Sequence, residues 1–599
     1  MVARIRQTYR SAPTKPMRPI LLSIFAALIL VALPACARAP VPDAEATRAA
    51  APSAPTQAAP FAATAAPLPT TAPGINSKIL RINLGARPEN LDPQHASSSA
   101  ELAILQLAYE GLTRVDEKGK VSPGAAERWE FGNDGKTLTF HLRAGLRRAD
   151  GMPLTAKDFE SALKHAIDPR VGAPYQSFLD DVHGAANASA LDPKSKSEDI
   201  ERALGNVGVK AMDDATLVIT FDQPTGYWLT LASTWIAFPS DKSKSEKEPD
   251  AWWLNPENHN GNGAFRLAEI RDEVIRLVPN PYYWGGKPKL DRIEFYWIAD
   301  AGVVESYRKG EVDVVRLSPE NFALAQNDAA LSQDLFRVSA ARVTYLGFNV
   351  KRAPFTDKNV RKAFSMALDR EGLVREVLPG LGEPYLSWIP PGVPGYDETA
   401  TVPGYNAQAA PQTLIDAGYG TPDKKKVDCA KLGTIKLTFA NAPRAQIVYQ
   451  AIAENLTRVF ACPVALDPVE PNDYSVVVRD PKTTPQVYLI AWEQEYAHPQ
   501  NWLFLQACSG MFAVRLGYCN RDFDAALAAA NQELEWSRAL EKYQAAQKIF
   551  VGDLPAAFLW NNDNAFLVKP SVRGAREHSG AGDNVWAGQF GPVLTYEVE

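Results

Sequence analysis

Two carboxylates among aromatic side chains are the residues of this sequence whose types and spacing best suit chemistry. They are Glu493 and Glu495 in the stretch LIAWEQEYAHPQNWLF, residues 489–504, where Trp492, Tyr496 and Trp502 lie nearby. Two such acids could serve as the general acid and the general base of an enzyme. A carboxylate among aromatic rings could instead clamp a cation. The rest of the sequence is needed to choose between catalysis and binding.

Familiar catalytic motifs do not support an enzyme. The segment NDGKT, residues 133–137, ends like a phosphate loop, but Glu130 stands where the first glycine is required and a strand pattern follows. GNGAF, residues 261–265, has no third glycine at dinucleotide spacing and is typical of a tight turn. No nucleophile elbow and no HExxH zinc motif occurs. Since paired carboxylates need no motif, an exported hydrolase stays open as the less favoured class.

Length and composition predict a large protein of two or three lobes. The chain has 599 residues, 46% of them apolar and 22% charged, which is ordinary for a protein with a sizeable core. The net charge is -6 and the pI is near 5.8. Because there is no basic excess, we expect no nucleic-acid partner.

The N-terminus predicts export and lipidation. Basic residues precede an apolar run at 20–33, which is shorter than the roughly 17 to 25 residues of a membrane-spanning helix. The next residues, Leu33-Pro34-Ala35-Cys36, resemble a bacterial lipobox. We therefore predict a lipoprotein signal peptide over 1–35, a lipid on Cys36, and a disordered tether rich in Ala, Pro and Thr over 36–77. A simple signal peptide or an uncleaved anchor is the alternative.

Four further cysteines predict two disulfides. An even number of cysteines in an exported chain favours bridges. Three pairings are possible, and proximity in the sequence favours Cys508 with Cys519 and Cys429 with Cys462. No CxxC pair occurs, so we expect no metal site.

Strand and helix patterns alternate over the rest of the chain and predict a mixed α/β fold. Apolar residues alternate with polar ones at 137–142 and 216–221, which indicates half-buried strands. Ser98 or Ser99 is placed to cap a helix, and residues 358–370 carry an apolar stripe. The segment 521–555 is interpreted as one long helix that stops at Gly552 and Pro555.

Several blocks in order resemble the solute-binding proteins of oligopeptide and dipeptide ABC importers, which form bacterial extracellular solute-binding protein family 5. They are YEGL at 109–112, the segment 123–159, GNGAFRL, NPYYWGGKPKLDRIEF at 280–295, YRKGEVDVV at 307–315, the segment 345–370, and AGYG at 417–420. Each block alone is weak. Together they cover nearly all of 78–599.

This resemblance implies a periplasmic-binding-protein-like fold of three lobes, with the ligand trapped between lobes I and III, which close about a hinge. Lobe I would comprise 78–115, 236–345 and 563–599. Lobe II would be an insertion at 116–235, and lobe III would span 346–562. Ligand contacts to both sides of a cleft bias the equilibrium between open and closed states.

The resemblance also implies ligand-binding residues. In WEQEY, Trp492 and Glu495 match the tryptophan and the acid that pairs with a peptide's terminal ammonium, although Glu replaces the usual Asp. Tyr175 and Asn441 are further candidates. Some relatives place an arginine just before the tryptophan to receive a carboxylate, whereas this chain has Leu489 and Ile490.

We therefore predict a lipid-anchored, monomeric binder of oligopeptides, not an enzyme, without cofactor. It would act on the outer face of the cell membrane and deliver its ligand to an ABC transporter permease. Family members also bind dipeptides, haem, nickel complexes or oligosaccharides, so these ligands stay open. For an oligosaccharide, the rings expected to stack on the sugar are Trp388, Trp492 and Trp502.

Overall fold

The structure is a computed structural model, and it describes residues 78–116, 119–245, 247–249, 251–574 and 597–598. The predicted signal peptide over 1–35, the lipidated Cys36 and the tether over 36–77 lie outside these residues. None of the helices among the described residues combines the length and the apolar content needed to cross a membrane.

Strands and helices of the described residues mix along the chain, which confirms the predicted mixed α/β class. The strands are β1 (Ile79–Asn83), β2 (Thr113–Val115), β3 (Val121–Pro123), β4 (Ala126–Phe131), β5 (Thr137–Leu142), β6 (Val209–Ala211), β7 (Thr216–Thr220), β8 (Phe265–Ile270), β9 (Ile275–Pro279), β10 (Arg292–Tyr296), β11 (Val314–Arg316), β12 (Leu335–Phe348), β13 (Gly382–Pro384), β14 (Ile435–Ala440), β15 (Val464–Val469), β16 (Val487–Glu493), β17 (Ala556–Val568), β18 (Val572–Arg573) and β19 (Glu597–Val598).

The α-helices are α1 (Ser99–Ala108), α2 (Ala156–Ile167), α3 (Ala185–Ser189), α4 (Ser197–Gly205), α5 (Trp228–Leu231), α6 (Lys242–Ser245), α7 (Asp300–Arg308), α8 (Pro319–Asn327), α9 (Leu331–Asp334), α10 (Lys358–Ala367), α11 (Arg370–Val377), α12 (Ala409–Leu414), α13 (Cys429–Leu432), α14 (Pro443–Phe460), α15 (Pro471–Val477), α16 (Pro499–Leu503), α17 (Met511–Leu516), α18 (Arg521–Asn531) and α19 (Trp536–Asp553). Short 3-10 turns occur at Gln176–Leu179, Trp235–Ala237, Trp252–Leu254, Pro256–Asn258 and Phe504–Gln506, and a π turn at Ile415–Tyr419.

One large sheet joins the two halves of the chain. Its strand order is β15-β14-β16-β12-β17-β11-β1-β10-β9-β8, with β13 paired to β17. The antiparallel strands β12 and β17 are the long ones, of 14 and 13 residues, and they lie at the centre. Their register shifts between Ser339 and Val343 and again between Thr344 and Tyr345. The predicted borders of lobes I and III fall inside these two strands, which is where a hinge would have to bend.

A separate four-stranded sheet, in the order β4-β5-β7-β6, lies within the predicted lobe II. Its strands bury one face, as the alternating pattern predicts. Leu138 and Phe140 of β5 and Leu217 and Ile219 of β7 are fully buried. These side chains belong to one hydrophobic core that the predicted lobes I and II share.

Local helix signals are confirmed in two places. Ser98 caps α1 by accepting a hydrogen bond of 3.3 Å from the backbone N–H of Glu101. The stripe of α10 buries Val360, Phe364 and Ala367. These positions follow from sequence spacing alone.

The prediction of one long helix over 521–555 is wrong, because the structure divides it into α18 and α19. The carboxylate of Glu535 accepts hydrogen bonds from the backbone N–H groups of Ser537 and Arg538, so a new helix begins there. Gly552 lies inside α19 and does not stop it. The helix ends instead at Asp553, before Leu554 with φ of 55°.

Both predicted disulfides are present in the structure. Cys429 is bonded to Cys462 with a Cα–Cα distance of 5.5 Å, and Cys508 to Cys519 with 4.4 Å. The first bridge fastens α13 to the end of α14. The second ties the segment before α17 to the segment before α18. Both therefore lie within the predicted lobe III.

Candidate ligand-binding site

The candidate site lies at the carboxyl end of three parallel strands. Strand β14 runs parallel to β15 and to β16 in the large sheet. The residues that follow these strands therefore meet at one edge of the sheet. This edge carries Asn441 after β14, Glu470 after β15 and Glu495 after β16. Ligands of open α/β sheets bind outside the carboxyl ends of the strands.

The loop after β16 is fixed from both sides. The backbone N–H of Gln494 donates to the carbonyl oxygen of Ala341 at 2.9 Å. The backbone N–H of Glu495 donates to Oδ1 of the fully buried Asn501 at 3.0 Å. His498 caps α16, since its Nδ1 accepts from the backbone N–H of Gln500 at 3.1 Å. The position of Glu495 is thus set by its neighbours in the fold.

The hydroxyl of Tyr175 lies near the carboxylate of Glu495 and stabilises its negative charge. Burial raises the pKa of Glu495 to about 7, while the polar side chains of Tyr175 and Asn501 nearby oppose this rise. Neither of these two partners is a cation. Glu495 is therefore a largely desolvated carboxylate whose charge is only partly compensated.

Aromatic packing positions Tyr175 for this contact. Its ring lies 5.1 Å from the ring of Phe178 and 5.1 Å from the ring of Trp235, at 88° to the latter. Burial raises the pKa of Tyr175 above its usual value, and the charge of Glu495 adds to the effect. The hydroxyl consequently stays protonated and can donate. The structure brings these two predicted site residues together, although 320 positions separate them in the sequence.

Other contacts also join the predicted lobe II, which contains Tyr175, to the predicted lobe III, which contains Glu495. The rings of Phe178 and Tyr496 meet edge to face at 5.3 Å. The backbone N–H of Gly226 donates to the carbonyl oxygen of Asn531 at 2.9 Å. The predicted lobes II and III therefore touch on several residues around the Tyr175–Glu495 contact.

Glu493 and Glu495 have different environments, which weakens the interpretation as a catalytic pair. Glu493 ends β16 opposite Arg342 of β12, and its Oε2 lies 3.7 Å from Nη1 of that arginine. It is not among the groups that shift the pKa of Glu495. A carboxylate dyad shares its protons because the two acids interact strongly. The arrangement favours separate roles for the two acids.

Trp492 and Asn441 lie at the same sheet edge but do not join the Tyr175–Glu495 contact. Trp492 is half-buried and packs edge to face on Phe512 at 5.8 Å. Its Nε1–H is buried without a hydrogen-bond partner among the described residues. Asn441 is exposed, and its side chain donates to Glu470 at 3.4 Å. That Trp492 and Asn441 contact the ligand therefore stays a prediction.

The prediction that Trp388 and Trp502 stack on a sugar is wrong. Both side chains are fully buried in the core of the predicted lobe III. Their rings meet at 5.2 Å and 80°, and Nε1–H of Trp388 donates to the carbonyl oxygen of Trp502 at 2.7 Å. Sequence spacing could not separate these core tryptophans from surface ones. Of the three rings, Trp492 alone keeps some exposed surface.

Asn501 is a site residue that sequence reasoning missed. It lies six positions after Glu495 and is held on α16, so its contact with Glu495 depends on how the intervening loop folds. The signal available in the sequence was the proline at the first position of α16, which predicts a helix start. That signal does not say where the asparagine side chain points.

Comparison with known proteins gives a consistent picture. Residues 120–511 match the family described as bacterial extracellular solute-binding proteins, family 5 middle. The chain is similar to the dipeptide-binding protein DppE of Bacillus subtilis, with 27% identity over 85% of this chain and 92% of the relative. It is also similar to the probable deoxycholate-binding periplasmic protein YgiS of Escherichia coli, with 28% identity over 86% of this chain and 94% of the relative.

A solved structure of a similar protein has the same fold. The crystal structure of Haemophilus influenzae OppA in complex with RPPGFSPFR aligns with a TM-score of 0.64 and 27% identity. The alignment covers 88% of this chain and 99% of that chain. The fold described above is thus that of a periplasmic-binding-protein-like molecule.

Proposed function

Because the chain belongs to the bacterial extracellular solute-binding proteins of family 5, we propose that it captures oligopeptides outside the cytoplasm and delivers them to the permease of an ABC importer. The observation that carries this proposal is the partly compensated, desolvated carboxylate of Glu495. A peptide's terminal ammonium is the group that fits it. Pairing with this cation would restore the charged form of the carboxylate, which burial disfavours.

The position of the acid suits a peptide that lies along the sheet edge. An extended peptide can bind through its backbone, with affinity that depends little on its sequence. Roomy, water-filled pockets then accept varied side chains. The printed names of the relatives support this ligand class, since DppE is called a dipeptide-binding protein and the OppA structure contains RPPGFSPFR.

The contact between Tyr175 and Glu495 supports a closing cleft. Tyr175 belongs to the proposed lobe II, which shares a hydrophobic core with lobe I, and Glu495 belongs to the proposed lobe III. A ligand that enters between Tyr175 and Glu495 and makes contacts of its own to both residues would bias the lobes toward closure. The long strands β12 and β17 would then absorb the bending. We propose that the protein does this as a monomer and without chemical change to the ligand.

A non-peptide ligand of the same site is the second candidate. The observation that favours it is the similarity to YgiS, called a probable deoxycholate-binding protein. A bile acid carries no ammonium, so it would not use Glu495 as a charge partner. The oligosaccharide alternative is weaker, because Trp388 and Trp502 are buried.

Mass spectrometry of the ligand that stays bound through native purification tests the proposed function. We expect peptides that the protein leaves intact, and a rise in melting temperature when a peptide mixture is added to ligand-free protein. Recovery of a steroid acid or a sugar, with no peptide effect on the melting temperature, would contradict the proposal. Cleavage of the added peptides would favour the hydrolase.

We also propose that Cys36 carries a lipid that anchors the protein to the outer face of the cell membrane. Cys36→Ser is expected to release the protein from the membrane fraction, because the lipid would be attached through the cysteine thiol, which serine lacks. Fractionation with detection by immunoblot measures this. Ser53→Ala in the tether is the control and should stay membrane-bound. Retention of Cys36→Ser in the membrane would contradict the anchor.

A further inference from the structure

Two close approaches join the proposed lobes II and III. At the first, Gly119 between β2 and β3 meets the proposed lobe III, since a Cβ built on Gly119 would lie 2.4 Å from Cγ of Pro394. At the second, residues 224–226 and Gly135 of lobe II meet residues 531–534 of lobe III, the turn between α18 and α19. We call this second contact the clasp.

Backbone meets backbone at the clasp. The N–H of Gly226 donates to the carbonyl oxygen of Asn531 at 2.9 Å. A Cβ built on Gly226 would lie 2.3 Å from the carbonyl oxygen of Glu533, which is closer than two such atoms can pack. Leu534 adds an apolar contact, because its Cδ1 lies 3.1 Å from a Cβ built on Gly135. A glycine is therefore required at position 226 for the two lobes to come this close.

The lobe III side of the clasp is fixed to α19. The hydroxyl of Tyr543 donates to Oδ1 of Asn531 at 2.8 Å. The carboxylate of Glu533 forms ion pairs with Arg538 at 2.9 Å and with Lys542 at 2.7 Å. The turn therefore cannot fold back from lobe II without losing these contacts, and the clasp opens only if the lobes separate.

The lobe II side is equally well held. Thr225 is buried, and its hydroxyl donates to the carbonyl oxygen of Gln223 at 2.9 Å. Trp228 is fully buried in the core that the proposed lobes I and II share. Gly226 itself does not have a positive φ, so the backbone of lobe II would accept an alanine there. The nearest atoms to an added Cβ all belong to lobe III.

The clasp joins two bodies that have separate cores. The proposed lobes I and II share one hydrophobic core, whereas most buried side chains of lobe III form two others. The long strands β12 and β17 connect the two bodies. Bending of these strands would move lobe III away from lobe II and break the clasp. The clasp consists of protein atoms alone, so it does not need a ligand to form.

We propose that the clasp holds the lobes closed in the absence of ligand and that its opening admits the ligand. The insertion that forms lobe II then has a function of its own, which is to set how fast ligands enter and leave. A ligand that can enter only an open minor state associates slowly, in proportion to the population of that state. This inference rests on the proposed function, because it assumes that the ligand binds between the lobes.

Gly226→Ala tests the clasp, since its added methyl group clashes with lobe III and not with lobe II. The probes are Ala-Ala-Ala and RPPGFSPFR, the peptide of the OppA structure. We expect association in stopped-flow fluorescence to become about tenfold faster, because the open state becomes the major one. Dissociation should accelerate by a larger factor, so that the affinity measured by calorimetry falls about tenfold. Both peptides should show the same factors, because the clasp does not contact the ligand.

Two further variants separate the clasp from damage to the fold. Gly205→Ala is the control within lobe II and should leave the rates unchanged, because an added Cβ there meets no atom within 4 Å. Leu534→Ala approaches the clasp from lobe III and should also speed association. Leu534 is 39% exposed, so its replacement leaves the core intact. The double variant of Gly226 and Leu534 should differ little from Gly226→Ala, because both changes break one contact.

Small-angle X-ray scattering without peptide gives a readout that does not depend on binding. We expect a larger radius of gyration for Gly226→Ala than for the wild type, and equal values after RPPGFSPFR is added. Equal radii without peptide, or slower or unchanged association in Gly226→Ala, would overturn the clasp and leave the proposed function standing. Failure of both peptides to bind the wild type would contradict the proposed function, whereas a larger radius of the variant would still support the clasp.

Discussion

Replacing Glu495 with glutamine is expected to weaken the binding of a peptide with a free amino terminus by a factor of about a hundred or more. The side chain lies in a desolvated position near the side chains of Tyr175 and Asn501. Removal of one partner of a buried ion pair typically costs about 3 to 5 kcal/mol. Each 1.4 kcal/mol changes a dissociation constant about tenfold. Calorimetry at pH 8, where Glu495 of the wild type is charged, measures the effect.

Glu454→Gln is the matched control for this prediction. Glu454 is an exposed acid of α14, and its side chain accepts from Gln450 at 2.9 Å. The same substitution there should leave peptide affinity unchanged. If Glu495→Gln lowers the affinity by no more than Glu454→Gln does, Glu495 does not bind the ligand's ammonium.

The same substitution is expected to stabilise the ligand-free protein at pH 8. Burial raises the pKa of Glu495 from the ordinary value of 4.5 to about 7. The folded state therefore binds the proton more tightly than the unfolded state, and its stability falls as the pH rises from about 4.5 to about 7. Above this window the charged carboxylate costs on the order of 3 kcal/mol, at about 1.4 kcal/mol for each pH unit of difference. Glutamine resembles the neutral acid and avoids this cost.

Urea unfolding of the wild type and of Glu495→Gln at pH 5 and pH 8 checks this prediction. The variant should be more stable than the wild type at pH 8, and the difference should shrink toward zero near pH 5. Glu454→Gln should show no such dependence. Equal stability of wild type and Glu495→Gln at both pH values would mean that burial does not disfavour the charge of Glu495.

Ligand affinity should show the complementary pH dependence. The ammonium binds the charged carboxylate, so protonation of Glu495 below pH 7 competes with the ligand. We expect the affinity of the wild type to fall by up to about tenfold for each pH unit below pH 7. The affinity of Glu495→Gln should change little over the same range.

Local patterns predicted the parts of the fold that depend on a few neighbouring residues. The alternation in β5, the cap of α1 and the stripe of α10 follow from spacing. The sequence did not predict the break between α18 and α19, because glutamate is an ordinary helix-forming residue. Only the structure shows that the carboxylate of Glu535 caps the start of α19. Both disulfides could be predicted from the even number of cysteines and from the short separation of each pair in the sequence. A disulfide needs its two cysteines to lie close together in space, and cysteines near each other in the sequence meet this condition more easily.

The sequence predicted the candidate site only through the resemblance of the chain to a family and through the acid Glu495. The contact between Tyr175 and Glu495 joins residues far apart in the sequence, and single-sequence patterns hold no information on that distance. The burial of Trp388 and Trp502 could not be predicted from the sequence either, because a tryptophan can lie in a core or on a surface. The position of Asn501 beside Glu495 depends on how the loop between β16 and α16 folds.

The most direct test of the account is calorimetry with free and N-acetylated versions of one peptide, against the wild type and Glu495→Gln. Acetylation removes the ammonium and leaves the rest of the peptide in place. The account predicts that acetylation weakens binding to the wild type by about a hundredfold or more, and that it costs the variant little further, because the two changes remove the same interaction. If acetylation leaves the affinity of the wild type unchanged, or costs both proteins equally, Glu495 does not recognise a peptide's amino terminus and the central claim is wrong.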